Sequence, residues 1–239
     1  MSDIRSPAVK TAMPHFPEFV MMMAALMALT ALSIDIMLPA LPLIRDDLGL
    51  ADPNQQQLVV TLYMLGFAVG QVAHGPISDA FGRKPVLLAG LAVYAAASFA
   101  CMLATQFDTL LAARFVQGVA CAAPRVIAVA VVRDIYGGRR MAEVMSFVMM
   151  IFIIAPVLAP TLGGGLLLIG NWHVIFAFLT AYGVGLLAWM TLRLPDTRPA
   201  ATREPISAGW VIGAFREAAT TRQTLGYTLA TGIVFGSMM

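Results

Sequence analysis

Gly75-Pro-Ile-Ser-Asp-Ala-Phe-Gly-Arg-Lys-Pro-Val-Leu-Leu88 is a short polar interruption between two long apolar runs, and the organisation of the chain follows from it. Gly75 and Pro76 are expected to close the first run, Gly82 permits the positive-φ conformation of a sharp reversal, and Pro85 suits the first turn of a following helix. Asp79, Arg83 and Lys84 keep the turn in water. The stretch reads as a tight hairpin between two membrane helices.

Composition agrees. Of the 239 residues 59% are apolar and only 12% charged, against about 25% charged in soluble domains. The chain is an all-α integral membrane protein, and nothing in its charge implies a nucleic-acid partner. Cys101 and Cys121 sit inside apolar runs and read as buried small hydrophobes. His15, His74 and His173 have no ligand spacing, so no metal or other cofactor is expected.

Six apolar runs are long enough to cross a hydrocarbon core of roughly 30 Å. They lie near Phe19–Pro39, Gln57–Gly75, Pro85–Thr105, Thr109–Val132, Met141–Ile169 and His173–Leu192. Arg5 and Lys10 ahead of the first run superficially resemble a secretory signal, but that run is longer than a signal core and more spans follow. Twelve of the 15 Lys and Arg fall in segments on the amino-terminal side of the membrane, Arg45 alone falls opposite, and Arg114 and Arg125 lie within the fourth run. This asymmetry puts the amino terminus and the hairpin in the cytoplasm.

Residues 1–18 are thus read as a cytoplasmic segment and 19–193 as the six-helix domain. Residues 194–223, with Pro195, Pro199 and Pro205 and charges of both signs, read as a cytoplasmic linker. Residues 224–239 read as an incomplete seventh helix, within which the chain is expected to end.

Ionisable groups inside a span cost a few kcal/mol and are functional candidates for that reason. Asp35, late in the first span, and Arg114, early in the fourth, are expected at a similar depth, roughly 6 to 8 Å inside the outer boundary. If both face the bundle interior, competition for Asp35 between a proton and Arg114 is a proton-coupled switch. A fixed ion pair, or Asp35 reaching outward to water, are the alternatives. Gln117 shares the face of Arg114, and Gly118 lets another helix approach closely. Arg125 projects from nearly the same face about 16 Å deeper, or else snorkels toward the internal surface. In the fifth run, Pro156 and Pro160 predict a kink and Gly163 and Gly164 close packing.

Gly75 through Lys84 resembles the loop between helices 2 and 3 of the major facilitator superfamily, G-x-L-a-D-r-x-G-R-[RK], with Ala80 where that family usually has Arg. Arg114-Phe-Val-Gln-Gly118 resembles its fourth-helix motif, R-x-x-q-G, whose Arg the resemblance ties to proton coupling. Ala155 through Gly164 resembles the antiporter signature g-x-x-x-G-P-x-x-G-G, with Pro160, Gly163 and Gly164 matching and Ala155 and Ala159 replacing glycines. Leu38 through Gly49, with Ser33-Ile-Asp35, resembles the Bcr/CflA drug-resistance branch.

The resemblance implies the amino-terminal half of a twelve-helix carrier, built as two inverted three-helix repeats. It also implies a cytoplasmic charge cluster of Asp79, Arg83 and Asp134 that latches the two halves, and proton-driven efflux of small amphipathic drugs or metabolites from a bacterial inner membrane. The implied partners are substrate, protons, lipid, and either a missing carboxy-terminal half or a second copy. A dimerising or non-transporting sensor is the alternative. A membrane enzyme is disfavoured, since H-E-x-x-H, G-x-S-x-G and phosphate-binding Gly-Lys motifs are all absent from the sequence. The methionines, Met21 to Met23 and Met149 to Met150 among them, are expected to pack or face lipid rather than line a pocket.

Overall fold

The computed structural model describes residues 14–197, with Gly226 and Ala230, both helical. Apart from those two residues the expected seventh helix lies outside the described residues, as do all but the first few residues of the linker. By its contacts the chain divides into two units, residues 1–203 and 204–239.

Between residues 14 and 197 seven α-helices run in chain order: α1 (Phe16–Asp35), α2 (Leu41–Asp47), α3 (Leu58–Phe81), α4 (Arg83–Met102), α5 (Phe107–Ile135), α6 (Gly138–Leu167) and α7 (His173–Arg193). The six long ones are each apolar and long enough to cross a membrane. Together they are the all-helical bundle expected from the six apolar runs, since helices bond every backbone amide within their own segment. The end of the bundle holding Gly82 is called the hairpin end below.

Two boundaries differ from expectation. The second span does not stop at Gly75–Pro76 but continues to Phe81, with Pro76 inside it. A proline this near a helix terminus removes one donor in the penultimate turns, and the reversal is left to Gly82, at φ 99°, where a side chain would be strained. The first span breaks at Ile36, and its carboxy-terminal part becomes a 3-10 turn, Leu38–Ala40, followed by α2. Pro39 and Pro42 each fall in the first turn of these pieces, where a missing donor costs nothing.

α3 and α5 are the most closely interlocked pair. A Cβ added at Gly66 would meet the Phe115 carbonyl, one at Gly70 the Val119 carbonyl, and one at Gly118 the Tyr63 carbonyl and Phe67 amide. Glycines on both partners thus bring backbone against backbone. α4 packs on α5 and α7, and α6 packs mainly along α1. α1 is the core helix, 78% of its apolar window being buried, against 22% for α3 and 11% for α6. The methionines divide accordingly: Met22, Met23 and Met27 are buried in the core, while Met21 and Met150 are exposed.

Candidate functional site

Arg114, on α5, is completely buried. Its Nε donates to the Val59 carbonyl of α3 at 3.0 Å, one terminal nitrogen to Gln117 Oε1 at 2.7 Å, and the other to the Ser33 carbonyl of α1 at 3.1 Å. The guanidinium also lies 4.4 Å from the Tyr63 ring centroid and 5.8 Å from that of Phe176. A helix leaves its last carbonyls unpaired and partly negative. At the end of α1 the Met37 amide bonds to Ile34, which exposes the Ser33 carbonyl, and α1 has no basic residue in its own last turn. Arg114 therefore caps α1 from a different helix.

Gln117 extends the network. Its Nε2 donates to Ser98 Oγ at 2.7 Å, Ser98 Oγ donates to the Tyr94 carbonyl at 2.8 Å, and the Tyr94 hydroxyl shares a 2.6 Å hydrogen bond with Ser33 Oγ. Four helices, α1, α3, α4 and α5, are joined through these groups. The Tyr63 hydroxyl is buried beside them with no hydrogen-bond partner among the described residues.

Asp35 does not pair with Arg114. It is the last residue of α1 and half-buried, and among the described residues no ion pair or hydrogen bond involves it. The common depth expected from the sequence is present, because Arg114 reaches α1 two residues before Asp35. What the guanidinium meets there is the unpaired end of the helix backbone. Arg125, half-buried on α5, holds its guanidinium carbon 5.2 Å from the Phe152 ring centroid of α6.

The second cluster is at the hairpin end. Arg83, 3% exposed, opens α4. It reaches Asp79 at 2.7 Å, Asp134 at 3.0 Å and Ser78 Oγ at 2.6 Å. The three residues implied as a charge cluster are thus brought together, with Asp134 supplied by the last turn of α5. Thr197 adds a 3.4 Å bond to Asp134, so the start of the linker touches the cluster. Lys84 Nζ donates to the Thr191 carbonyl at 2.9 Å, and Arg193 grips Glu18 through two 2.6 Å bonds. Gly75 lies within α3 and a Cβ there would meet nothing within 4 Å. Asp134→Ala is expected to destabilise the protein by about 1.5 to 3 kcal/mol, the usual worth of a hydrogen bond to a charged group. Thermal melting in detergent measures it, and an unchanged midpoint would mark the Arg83–Asp134 contact as energetically idle.

On α6, Gly163 sits against the Ile36 carbonyl, just past the end of α1, and against Pro39 of the 3-10 turn, whereas a Cβ on Gly164 would meet nothing within 4 Å. Pro156 and Pro160 lie within one uninterrupted helix. Cys101 and Cys121 are buried and free, and among the described residues no group of three or more His, Cys, Asp or Glu is placed to hold a metal.

Sequence reading missed Ser33, Tyr94 and Ser98, single neutral polar residues that do not stand out in an apolar run, although Tyr94 and Ser98 lie one turn apart on one face of α4. It also missed the tie at the end opposite the hairpin, where Trp172 Nε1 donates to Asp47 at 2.9 Å.

Residues 23–239 match the Major Facilitator Superfamily. The chain is 37% identical over 217 residues to YdgK, an MFS-type transporter of Bacillus subtilis, covering 90% of this chain and 54% of that protein. It is 31% identical over 220 residues to a bicyclomycin resistance protein homologue of Haemophilus influenzae, covering 92% and 55%. It is 37% identical over 184 residues to the multidrug resistance protein MdtL of Escherichia coli, covering 77% and 47%. Its fold resembles the human organic anion transporter MFSD10 at TM-score 0.64 and 18% identity, over 87% of this chain and 57% of that one. The chain spans about half the length of these relatives. With its residue matches and its six-helix bundle, this chain belongs to the Major Facilitator Superfamily.

Proposed function

We propose that the chain supplies one six-helix half of a proton-coupled exporter of small amphipathic drugs or metabolites, in a bacterial inner membrane with the hairpin end in the cytoplasm. The observation that carries this reading is the state of Asp35. Its carboxyl stands two residues beyond the carbonyl that holds Arg114, half-buried and with no partner among the described residues. A carboxyl so placed changes protonation when its surroundings change between water and protein. Arg114 is the fixed cation of this scheme, held by neutral acceptors, and Asp35 the group that loads and unloads. Two relatives named for resistance to bicyclomycin and to multiple drugs support export of antibiotic-like compounds.

The cluster of Arg83, Asp79 and Asp134 fits a latch that holds the cytoplasmic side closed when its counterpart on another six-helix unit is engaged. Asp35→Asn is expected to abolish dye extrusion driven by a pH gradient in vesicles holding the protein as expressed from its gene. Undiminished extrusion would remove Asp35 from the mechanism.

A second reading is a half-sized bundle that dimerises, with or without transport. The apolar faces of α3 and α6, where Leu65, Val69, Ile153 and Val157 are each at least half exposed, are the surfaces open to lipid or to a second copy. Mass measurement and crosslinking in detergent separate a monomer from a dimer.

A further inference from the structure

The two arginines of α5 are held in opposite ways. Arg114 has each of its three guanidinium nitrogens on an acceptor and no access to its surroundings. Arg125 is half-buried, and among the described residues its only partner is the face of Phe152. It stands ten residues before the end of α5 and Phe152 fourteen residues after the start of α6. At 1.5 Å per residue those positions are about 15 and 21 Å from the hairpin end, within a hydrocarbon core roughly 30 Å thick, with Arg125 on the hairpin side of its middle because α5 is longer than the core. α5 and α6 make little contact with each other beyond their shared turn, and Arg125 and Phe152 meet across the space between them.

A guanidinium at this depth stays ionised and costs a few kcal/mol against lipid tails, which favours a place facing water or an anion. The acids of the described helices all lie toward the helix ends: Glu18, Asp79, Asp134 and Glu143 at the hairpin end, Asp35, Asp46, Asp47 and Asp108 at the other. Arg114 lies at the depth of Asp35, whereas Arg125 has no acid at its own depth among the described helices, a local field that favours anions. The cation–π contact with Phe152 uses none of the guanidinium N–H donors as hydrogen bonds, and the fork is left for a carboxylate.

We propose that Arg125 is a substrate-binding residue that receives a carboxylate or similar planar oxyanion, so that substrates include anionic or zwitterionic compounds. This inference rests on the transporter reading above. It is tested by binding to the purified protein, as expressed from its gene, of two dyes that share a xanthene ring system and differ in charge: carboxyfluorescein, an anion, and rhodamine 6G, a cation. Fluorescence anisotropy should show carboxyfluorescein binding at least tenfold weaker to Arg125→Gln and intermediate to Arg125→Lys, with rhodamine 6G changed less than twofold and the melting temperature held within a few degrees. Equal weakening of both dyes, or no binding of carboxyfluorescein to the unmodified protein, overturns the proposal. The first result would mean that Arg125 is tied to a carboxylate elsewhere in the protein. Should Arg125→Gln fail to fold, Arg125→Lys carries the test: a loss confined to carboxyfluorescein supports the proposal, and an equal loss or none overturns it. Dye movement in proteoliposomes separates the two readings. Arg125-dependent binding without movement of either dye sinks the transporter reading alone, and movement of carboxyfluorescein unaffected by Arg125→Gln sinks this one alone.

Discussion

Arg114→Lys is expected to destabilise the protein by about 3 kcal/mol or more, and to do so more severely than Arg114→Met. Three acceptors on three helices surround the guanidinium at 2.7 to 3.1 Å, and a single ammonium nitrogen cannot serve the backbone of α1, the backbone of α3 and Gln117 together. Each lost hydrogen bond to a charged group is worth about 1.5 to 3 kcal/mol, while the lysine is still buried as an ion, or must surrender its proton to be buried. Methionine also strands the acceptors, but it removes the burial of a charge, and that relief offsets part of the loss. Thermal melting of the three proteins in one detergent ranks them. A lysine variant as stable as the arginine would show that charge alone matters here, and that the fork geometry does not.

Gly118→Ala is expected to cost about 3 kcal/mol, at the upper end of the usual penalty for overpacking. One methyl group is a small addition, but what it meets is the backbone of Tyr63 and Phe67, and backbone cannot rotate out of the way. α3 would have to withdraw from α5, loosening the Gly66 and Gly70 contacts as well and pulling Val59 away from Arg114. Gly164→Ala is the matched control, being a helical glycine whose added Cβ meets nothing within 4 Å. It should be neutral or slightly stabilising, since alanine favours the helix by roughly 1 kcal/mol over glycine. If both variants melt at the same temperature, the packing account of α3 and α5 is wrong.

Much of the fold was legible from two simple signals. Apolar runs of spanning length located all six membrane helices, and the polar hairpin at Gly82 set the connection between two of them. The misplaced end of α3 shows where such reading fails. Gly75 and Pro76 look like a terminator in one dimension, yet α3 absorbs the lost bond and the crowding of the proline ring, and the helix continues until Gly82 makes the reversal possible. α2 was missed for a related reason, since Pro39 and Pro42 read as breakers although each sits where a new helical piece begins.

The site was legible in part. Arg114, Gln117 and Gly118 announce themselves because ionisable, amide and glycine residues are conspicuous in an apolar span. Which groups they engage depends on helix rotation and depth, which spacing along one helix does not fix. An acid and a base at equal depth suggested an ion pair, and the base instead took the carbonyl at the end of α1. Ser33, Tyr94 and Ser98 gave no sign of their shared network because neutral hydroxyls satisfy themselves on their own helices as readily as across to another.

The order of the chain bears on how so costly a residue enters the membrane at all. The Ser33 and Val59 carbonyls belong to α1 and α3, which are synthesised and inserted before α5, and Gln117 follows Arg114 by one turn on the same helix. When the fourth spanning segment leaves the ribosome, the acceptors for its buried charge are already in the bilayer, as are the glycines of α3 against which it closes. The order of the chain thus places the acceptors ahead of the ion, while α6 and α7, which pack on α1 and α4, follow it.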